Sequence, residues 1–146
     1  MVPALRIVPV QDDQTLLDWQ LVHNEIIPTA PLSVDDIRER TTRNVLEVAY
    51  DGDVLVGCST VRPPSEETAA VTVIARVLPA YRQRGFGEAI YQRCLTHAGD
   101  GRGIETHILA SNEDGLRFAK AHGFVEVERY LLPGDTIPFV ELRLDA

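Results

Sequence analysis

The sequence has 146 residues, 45% of them hydrophobic and 25% charged, the mix of one ordinary domain that can bury a core without disulfide or metal staples. Fourteen basic against 22 acidic side chains leave a formal net charge of −8. Such a surface repels phosphate backbones and anionic lipid, which argues against nucleic acid and membrane as partners and favours cationic ones such as protonated amines.

In chain order, residues 5–10 read as a first strand. Asp12 or Asp13 then caps a helix whose apolar positions Leu17, Leu21, Val22 and Ile26 fall at helical spacing, and Pro28 and Pro31 end it. Ser33 starts a second helix, with Asp36 in the capping-box position, and Asn44 marks its exit. Residues 45–50 and 54–61 read as strands around Asp51-Gly52, a strong hairpin signal. Residues 68–78 are β-branched and apolar on both faces, the pattern of a central strand covered on both sides, and Pro79 stops it. A glycine-containing turn at residues 82–87 opens a helix to about Ala98, with Phe86, Ile90 and Cys94 as its core stripe. A loop over residues 99–103 leads to a strand at 104–110, Asn112 starts a helix that ends at Gly123, and strands near 124–131 and 137–144 close the chain.

Strands that follow one another without intervening helices argue against a doubly wound fold. The expectation is one α+β domain over residues 1–146, with a mixed, mostly antiparallel central sheet. Cys58 and Cys94 form no Cys-x-x-Cys pair, no two histidines have metal-ligand spacing, and no metal is expected. The first 13 residues carry no apolar signal stretch, and no apolar run approaches the ~20 residues of a bilayer span. A cytoplasmic protein with reduced thiols is expected.

The segment richest in chemistry runs from Val77 to Glu88: a strand end, a tight turn with Arg82, Gln83, Arg84, Gly85 and Gly87, and a helix N-terminus. Free backbone N–H groups and the helix dipole there favour an anion, and glycines let it approach closely. Five arginines against Glu88 and Asp100 between residues 76 and 102 give a local +3 inside the −8 chain. A di- or polyphosphate is the natural ligand. Neither the Gly-Lys-[Ser/Thr] of a Walker A loop nor the third glycine of a dinucleotide fingerprint is present.

With Val77-Leu78-Pro79 before it, the turn Arg82-Gln83-Arg84-Gly85-Phe86-Gly87 resembles the [Gln/Arg]-x-x-Gly-x-[Gly/Ala] signature of the GNAT superfamily of N-acetyltransferases. Asn112 followed at helical distance by Gly123-Phe124 is similar to a second block of that family. The resemblance implies a GNAT-like fold with helices on both faces of the sheet, and acetyl-CoA as co-substrate. It implies that the backbone of Ala75, Arg76 and Val77 pairs with pantetheine at a splay between two strands. The amides of Gln83, Arg84, Gly85, Phe86, Gly87 and Glu88 would hold the pyrophosphate, with Asn112 touching the pantetheine arm. A primary amine, of a small molecule or a peptide, would attack the thioester directly. A monomer or homodimer is expected, and a non-catalytic acyl-CoA-binding sensor is the alternative.

Amine acylation needs a base for the ammonium proton and, where solvent does not suffice, an acid for the thiolate. The tyrosine that many family members place seven residues after the Asn is Ala119 here, and Tyr130 is a substitute. Five residues before the Asn, where some members have a Glu base, stands His107. Strand alternation puts Glu105 on the same face, where it can orient the imidazole and raise its pKa. In the family the first two helices cover the acceptor, which makes Trp19, His23 and Glu25 candidates for its pocket; acidic residues lining that cleft would attract a cationic amine.

Overall fold

The computed structural model describes residues 5–99 and 103–144. Asp100 and Arg102, counted in the basic stretch, lie outside them, as do the outer residues of the chain and most of the 99–103 loop. The order is β1 (Leu5–Pro9), α1 (Asp13–Ile26), α2 (Val34–Thr41), β2 (Val45–Asp51), β3 (Val54–Arg62), β4 (Val71–Val77), α3 (Phe86–Ala98), β5 (Ile104–Leu109), α4 (Glu113–Ala121), β6 (Val125–Tyr130) and β7 (Phe139–Leu144), with a 3-10 turn at Pro79–Tyr81 between β4 and α3. This is the order expected from the sequence.

Local chemistry sets the helix starts. The Asp12 carboxylate accepts from Thr15 N–H at 2.9 Å while Thr15 Oγ1 accepts from Asp12 N–H at 3.1 Å. Ser33 and Asp36 form the same reciprocal box at 3.1 and 3.0 Å. Each cap is worth about 1 kcal/mol. The α1 stripe differs from the expected one. Leu17 and Leu21 are 48% and 51% exposed, and the buried face carries Leu16, Trp19, Val22, His23 and Ile26. Both stripes have helical spacing. The indole has the largest apolar area to bury and donates Nε1–H to the Ser59 carbonyl at 3.1 Å, so it decides which face turns inward. The central strand is also shorter than expected. Residues 65–70 fold into a loop in which Ser65 N–H donates to the Thr68 carbonyl at 2.9 Å and Ala70 N–H to Thr68 Oγ1 at 3.1 Å.

The seven strands form one sheet in the order β1-β2-β3-β4-β5-β7-β6. Every neighbouring pair is antiparallel except β4–β5, which is parallel and holds only Val71 against Ile104 and Thr72 against Glu105. Beyond Thr72, the edge of β4 that faces β5 has no strand partner. Helices α3 and α4 pack on one face, with Phe86, Ile90, Cys94 and Ala119 over Val71 and Val73. Helices α1 and α2 cover the other with Trp19, Val22 and Ile37 over Val48 and Cys58. A buried carboxylate pins α3 to the sheet: Glu47 on β2, 2% exposed, accepts from Arg93 and faces His97 Nε2, each at 3.3 Å.

Gly57 on β3 lies where strand, neighbour and helix crowd together. A Cβ there would run into the backbone carbonyl of Arg76 and come within 2.9 Å of Ile90 Cδ1. Because one obstacle is backbone, Gly57→Ala is expected to destabilise the fold by about 1–3 kcal/mol, read as a lowered urea midpoint with unchanged slope.

Candidate active site

The parting of β4 and β5 opens a cavity of about 560 Å³ that reaches from the sheet to the first turns of α3 and α4. Ala75, Arg76, Val77, Thr106, His107 and Ile108 form its two strand walls. Backbone groups in the middle of a sheet are ordinarily paired; here those on the β4 wall beyond Thr72 face the cavity instead. An extended ligand with its own amides fits such an edge as an added strand.

At the mouth, the turn after β4 takes a left-handed step twice, at Gln83 (φ 63) and at Gly85 (φ 87), the N-cap of α3. Glycine adopts that step freely, whereas Gln83 holds a conformation that a side chain disfavours and that recurs at ligand clamps. The first intrahelical bond runs from Ala89 N–H to the Gly85 carbonyl at 3.2 Å. The N–H groups of Phe86, Gly87 and Glu88 therefore have no carbonyl behind them in the helix and suit an anion.

Of the two arginines of this turn, Arg82 is engaged within the fold. Arg82 Nε donates to the Val77 carbonyl at 2.9 Å, and its Nη1 to Asn112 Oδ1 at 3.4 Å and Asp114 Oδ2 at 3.2 Å. It is a strut between the end of β4 and the start of α4, with its charge met by Asp114. Arg93 is met by Glu47, and Arg76 projects to the opposite sheet face. The local +3 read from the sequence is thus largely neutralised or turned away, because its partners come from distant segments. Arg84 is exposed and stacks its guanidinium 5.8 Å from the Tyr81 ring centroid. The Phe86 side chain is core, 3% exposed. Asn112 Oδ1 caps α4 by accepting from Gly115 N–H at 3.0 Å, which leaves its Nδ2 donor on the cavity wall.

On the α1 side of the sheet lies a second, polar cavity of about 630 Å³. The two meet at Ile27, Ile74, Arg76 and His107, which line both. The imidazole of His107 is hydrogen-bonded through Nδ1 to Tyr130 Oη at 2.9 Å, and its Nε2 lies 3.9 Å from Glu105 Oε1. Glu105, 5% exposed, is fixed by Thr72 Oγ1 at 3.1 Å and Arg143 Nη2 at 3.3 Å. Arg143 also faces Glu141 at 3.5 Å. Glu105, His107 and Glu141 are close enough to share a cation, with Arg143 already against both carboxylates.

Glu105 pulls the imidazole pKa upward as expected, but burial outweighs it and the His107 pKa is lowered. Burial likewise pushes the Cys58 thiol up to about 12 and the Cys94 thiol up to about 11, which makes both poor nucleophiles.

Of the three acceptor candidates, His23 lines the second cavity. Trp19 is 1% exposed within the core, and Glu25 is exposed away from both cavities. The lining of the second cavity carries both signs. Glu67, Glu105 and Glu141 are there, but so are Arg40, Arg62, Arg76 and Arg143. Sequence reasoning missed these side chains. Alternation along β3 and β4 was the available signal for Arg62 and Arg76, since the register Cys58–Arg76 and Arg62–Thr72 puts them on one face.

Residues 13–124 match the Acetyltransferase (GNAT) family. No curated protein gives a significant match. Among solved structures, the fold is similar to Arabidopsis thaliana NAA60 in complex with a bisubstrate analogue (TM-score 0.76, 19% identity, 97% of each chain covered). It is similar to yncA from Salmonella typhimurium with its cofactor acetyl-CoA (TM-score 0.73, 15% identity, 97% of this chain and 94% of that one). It is also similar to smu.2055 from Streptococcus mutans (TM-score 0.77, 22% identity, 96% and 98%). With the family matched over most of its length and the fold over nearly all of it, the chain belongs to the GNAT family of acetyltransferases, which use acetyl-CoA as co-substrate.

Proposed function

We propose that this protein is an N-acetyltransferase that moves the acetyl group of acetyl-CoA to a primary amine by direct attack, with His107 as the base. The observation that carries this reading is the position of His107, where the strand cleft and the polar cavity meet, backed by Glu105 and bonded to Tyr130.

The first cavity fits the co-substrate. The strand edge of Ala75, Arg76 and Val77 and the Asn112 amide suit the pantetheine arm. The N–H groups from Gln83 to Glu88 suit the pyrophosphate, with Arg84 the exposed cation beside them. When bound, acetyl-CoA supplies an activated acetyl thioester. The amine approaches from the second cavity. With Nδ1–H donated to the Tyr130 oxygen, His107 Nε2 keeps its lone pair for the amine proton, and Glu105 stabilises the imidazolium that results. Tyr130 then retains its own O–H, a donor for the departing thiolate that Ala119 does not offer. Neither thiol takes part, so no acyl-enzyme forms.

His107→Ala is expected to lower kcat/KM by about 10²–10⁴, followed as amine-dependent thiol release. A base works in its neutral form, and burial lowers the His107 pKa. The wild-type kcat/KM should therefore stay level as pH falls through 6.5 and drop only below it, a limb the variant lacks. Tyr130→Phe keeps the ring, which stacks on Phe139 at 5.6 Å, and removes only the hydroxyl. Its kcat should fall about 10²-fold with the KM for acetyl-CoA unchanged. Acetyl-CoA at a hundred times its Kd should raise Tm by about 5–10 °C. That shift without thiol release for any amine would favour the sensor.

A further inference from the structure

The second cavity contains more positive charge than its own carboxylates answer. Arg40 at the end of α2, Arg62 at the end of β3 and Arg76 on β4 all line it and are all half-buried. None of the three forms an ion pair among the described residues, although Arg38 and Arg43 on either side of Arg40 do. Arg62 Nε is buried with no hydrogen-bond partner. The acidic groups of the cavity are otherwise engaged: Glu105 and Glu141 face Arg143 at 3.3 and 3.5 Å, and Glu67 sits exposed on the loop before β4. Half-buried guanidiniums gathered without an anion are unfavourable, and the arrangement becomes favourable when one arrives. Burial and mutual repulsion both act against the charges of Arg40 and Arg76, while His23 is driven down to about 4 by burial and Arg76 and is neutral near pH 7.

We propose that Arg40, Arg62 and Arg76 bind an oxyanion of the acceptor itself, so that the substrate is a small primary amine with a carboxylate or phosphonate a few bonds from its nitrogen. This rests on the transfer reaction proposed above and names its substrate class. Guanidinium forks match planar oxyanions in two-point contacts that an ammonium or a neutral amide cannot make. Arg76 and His107 line both cavities, so an anion held on the arginines leaves the nitrogen of a short amino acid beside the imidazole. The same positive field disfavours the ammonium form, which eases removal of the proton before attack. A peptide N-terminus has a neutral amide where an amino acid has its carboxylate, and a polyamine brings further positive charge.

The test pairs each acceptor with its uncharged analogue, using the full chain and acetyl-CoA and following thiol release. L-methionine and L-glutamate are compared with L-methioninamide and a Met-initiated pentapeptide, and 2-aminoethylphosphonate with ethanolamine. The acids are expected to exceed their neutral partners by about ten- to a hundredfold in kcat/KM, and the amino-acid and phosphonate arms tell the two oxyanions apart. In Arg40→Ala and Arg62→Gln the acid-to-amide ratio should fall towards one through a rise in the KM for the acid. An unchanged Tm shift with acetyl-CoA would show that both variants are folded. Methioninamide, the pentapeptide or ethanolamine acetylated as well as or better than the acids, or a ratio unmoved by both variants, would overturn the proposal while leaving N-acetyl transfer standing. Acetyl-CoA binding with no amine of any class consumed would overturn the transfer reading and this inference with it.

Discussion

The site depends on a strand pairing that stops early. β4 and β5 are neighbours for two residue pairs and then separate, although each is well held on its other side, β4 by six pairs with β3 and β5 by six with β7. A central strand edge left unpaired over several residues gives up hydrogen bonds that a sheet normally keeps. What it gains is a slot between two strands that are each held on their other side, with backbone groups open to an extended ligand. Arg82 braces the end of the gap, joining the Val77 carbonyl to Asn112 and Asp114. The same residue that looks like a phosphate ligand in the linear sequence is part of the frame.

Charge shows why a linear count misleads. The chain carries −8 overall and a basic stretch around the signature turn. In the fold, Arg82 and Arg93 of that stretch find carboxylates 32 and 46 residues away, and Arg76 turns to the other face of the sheet. What suits an anion at the turn is the set of backbone amides at the start of α3, which no charge count registers. Conversely, the cavity on the α1 side collects arginines from α2, β3, β4 and β7 that are nowhere near one another in sequence. The acidic surface and the cationic pocket are consistent, because net charge describes the far field and the site describes the near one.

What was legible in the sequence was local. Asp12 and Ser33 as caps, the Asp51-Gly52 hairpin, Gly85 at a helix start and Asn112 at the next all act through residues within a few positions. The element order followed, and the turn, residues 75–77 and His107 line one cavity. The partners of His107 were less accessible. Sequential strands usually lie side by side, but here β7 enters the sheet between β5 and β6. That insertion sets Glu141 opposite His107 and Arg143 opposite Glu105. No local signal encodes it, and Tyr130, from the edge strand β6, comes to His107 only because of it. The α1 stripe was legible only in part, at Val22 and Ile26, for a different reason: Leu17 and Leu21 share the helical period with Leu16, Trp19 and His23, and packing against β3 turned the latter inward.

The order of those last strands also bears on the missing tyrosine. Position 119 lies in α4, is 2% exposed and belongs to the core beneath the cleft, so its alanine leaves the α4 wall without a hydroxyl. The hydroxyl of Tyr130 arrives instead across the sheet, through β7, and is bonded to the imidazole at 2.9 Å. In the proposed reaction the residue that receives the amine proton and the residue that donates to the thiolate share one hydrogen bond. The imidazolium formed by the first transfer donates Nδ1–H to the phenolic oxygen more strongly than neutral His107 does, and it stabilises the phenolate that the second transfer leaves. Passing that proton on to the phenolate restores the Tyr130 O–H but leaves His107 as its Nε2–H tautomer, and exchange with solvent returns the Nδ1–H form and takes up the second proton that the amine loses on becoming an amide.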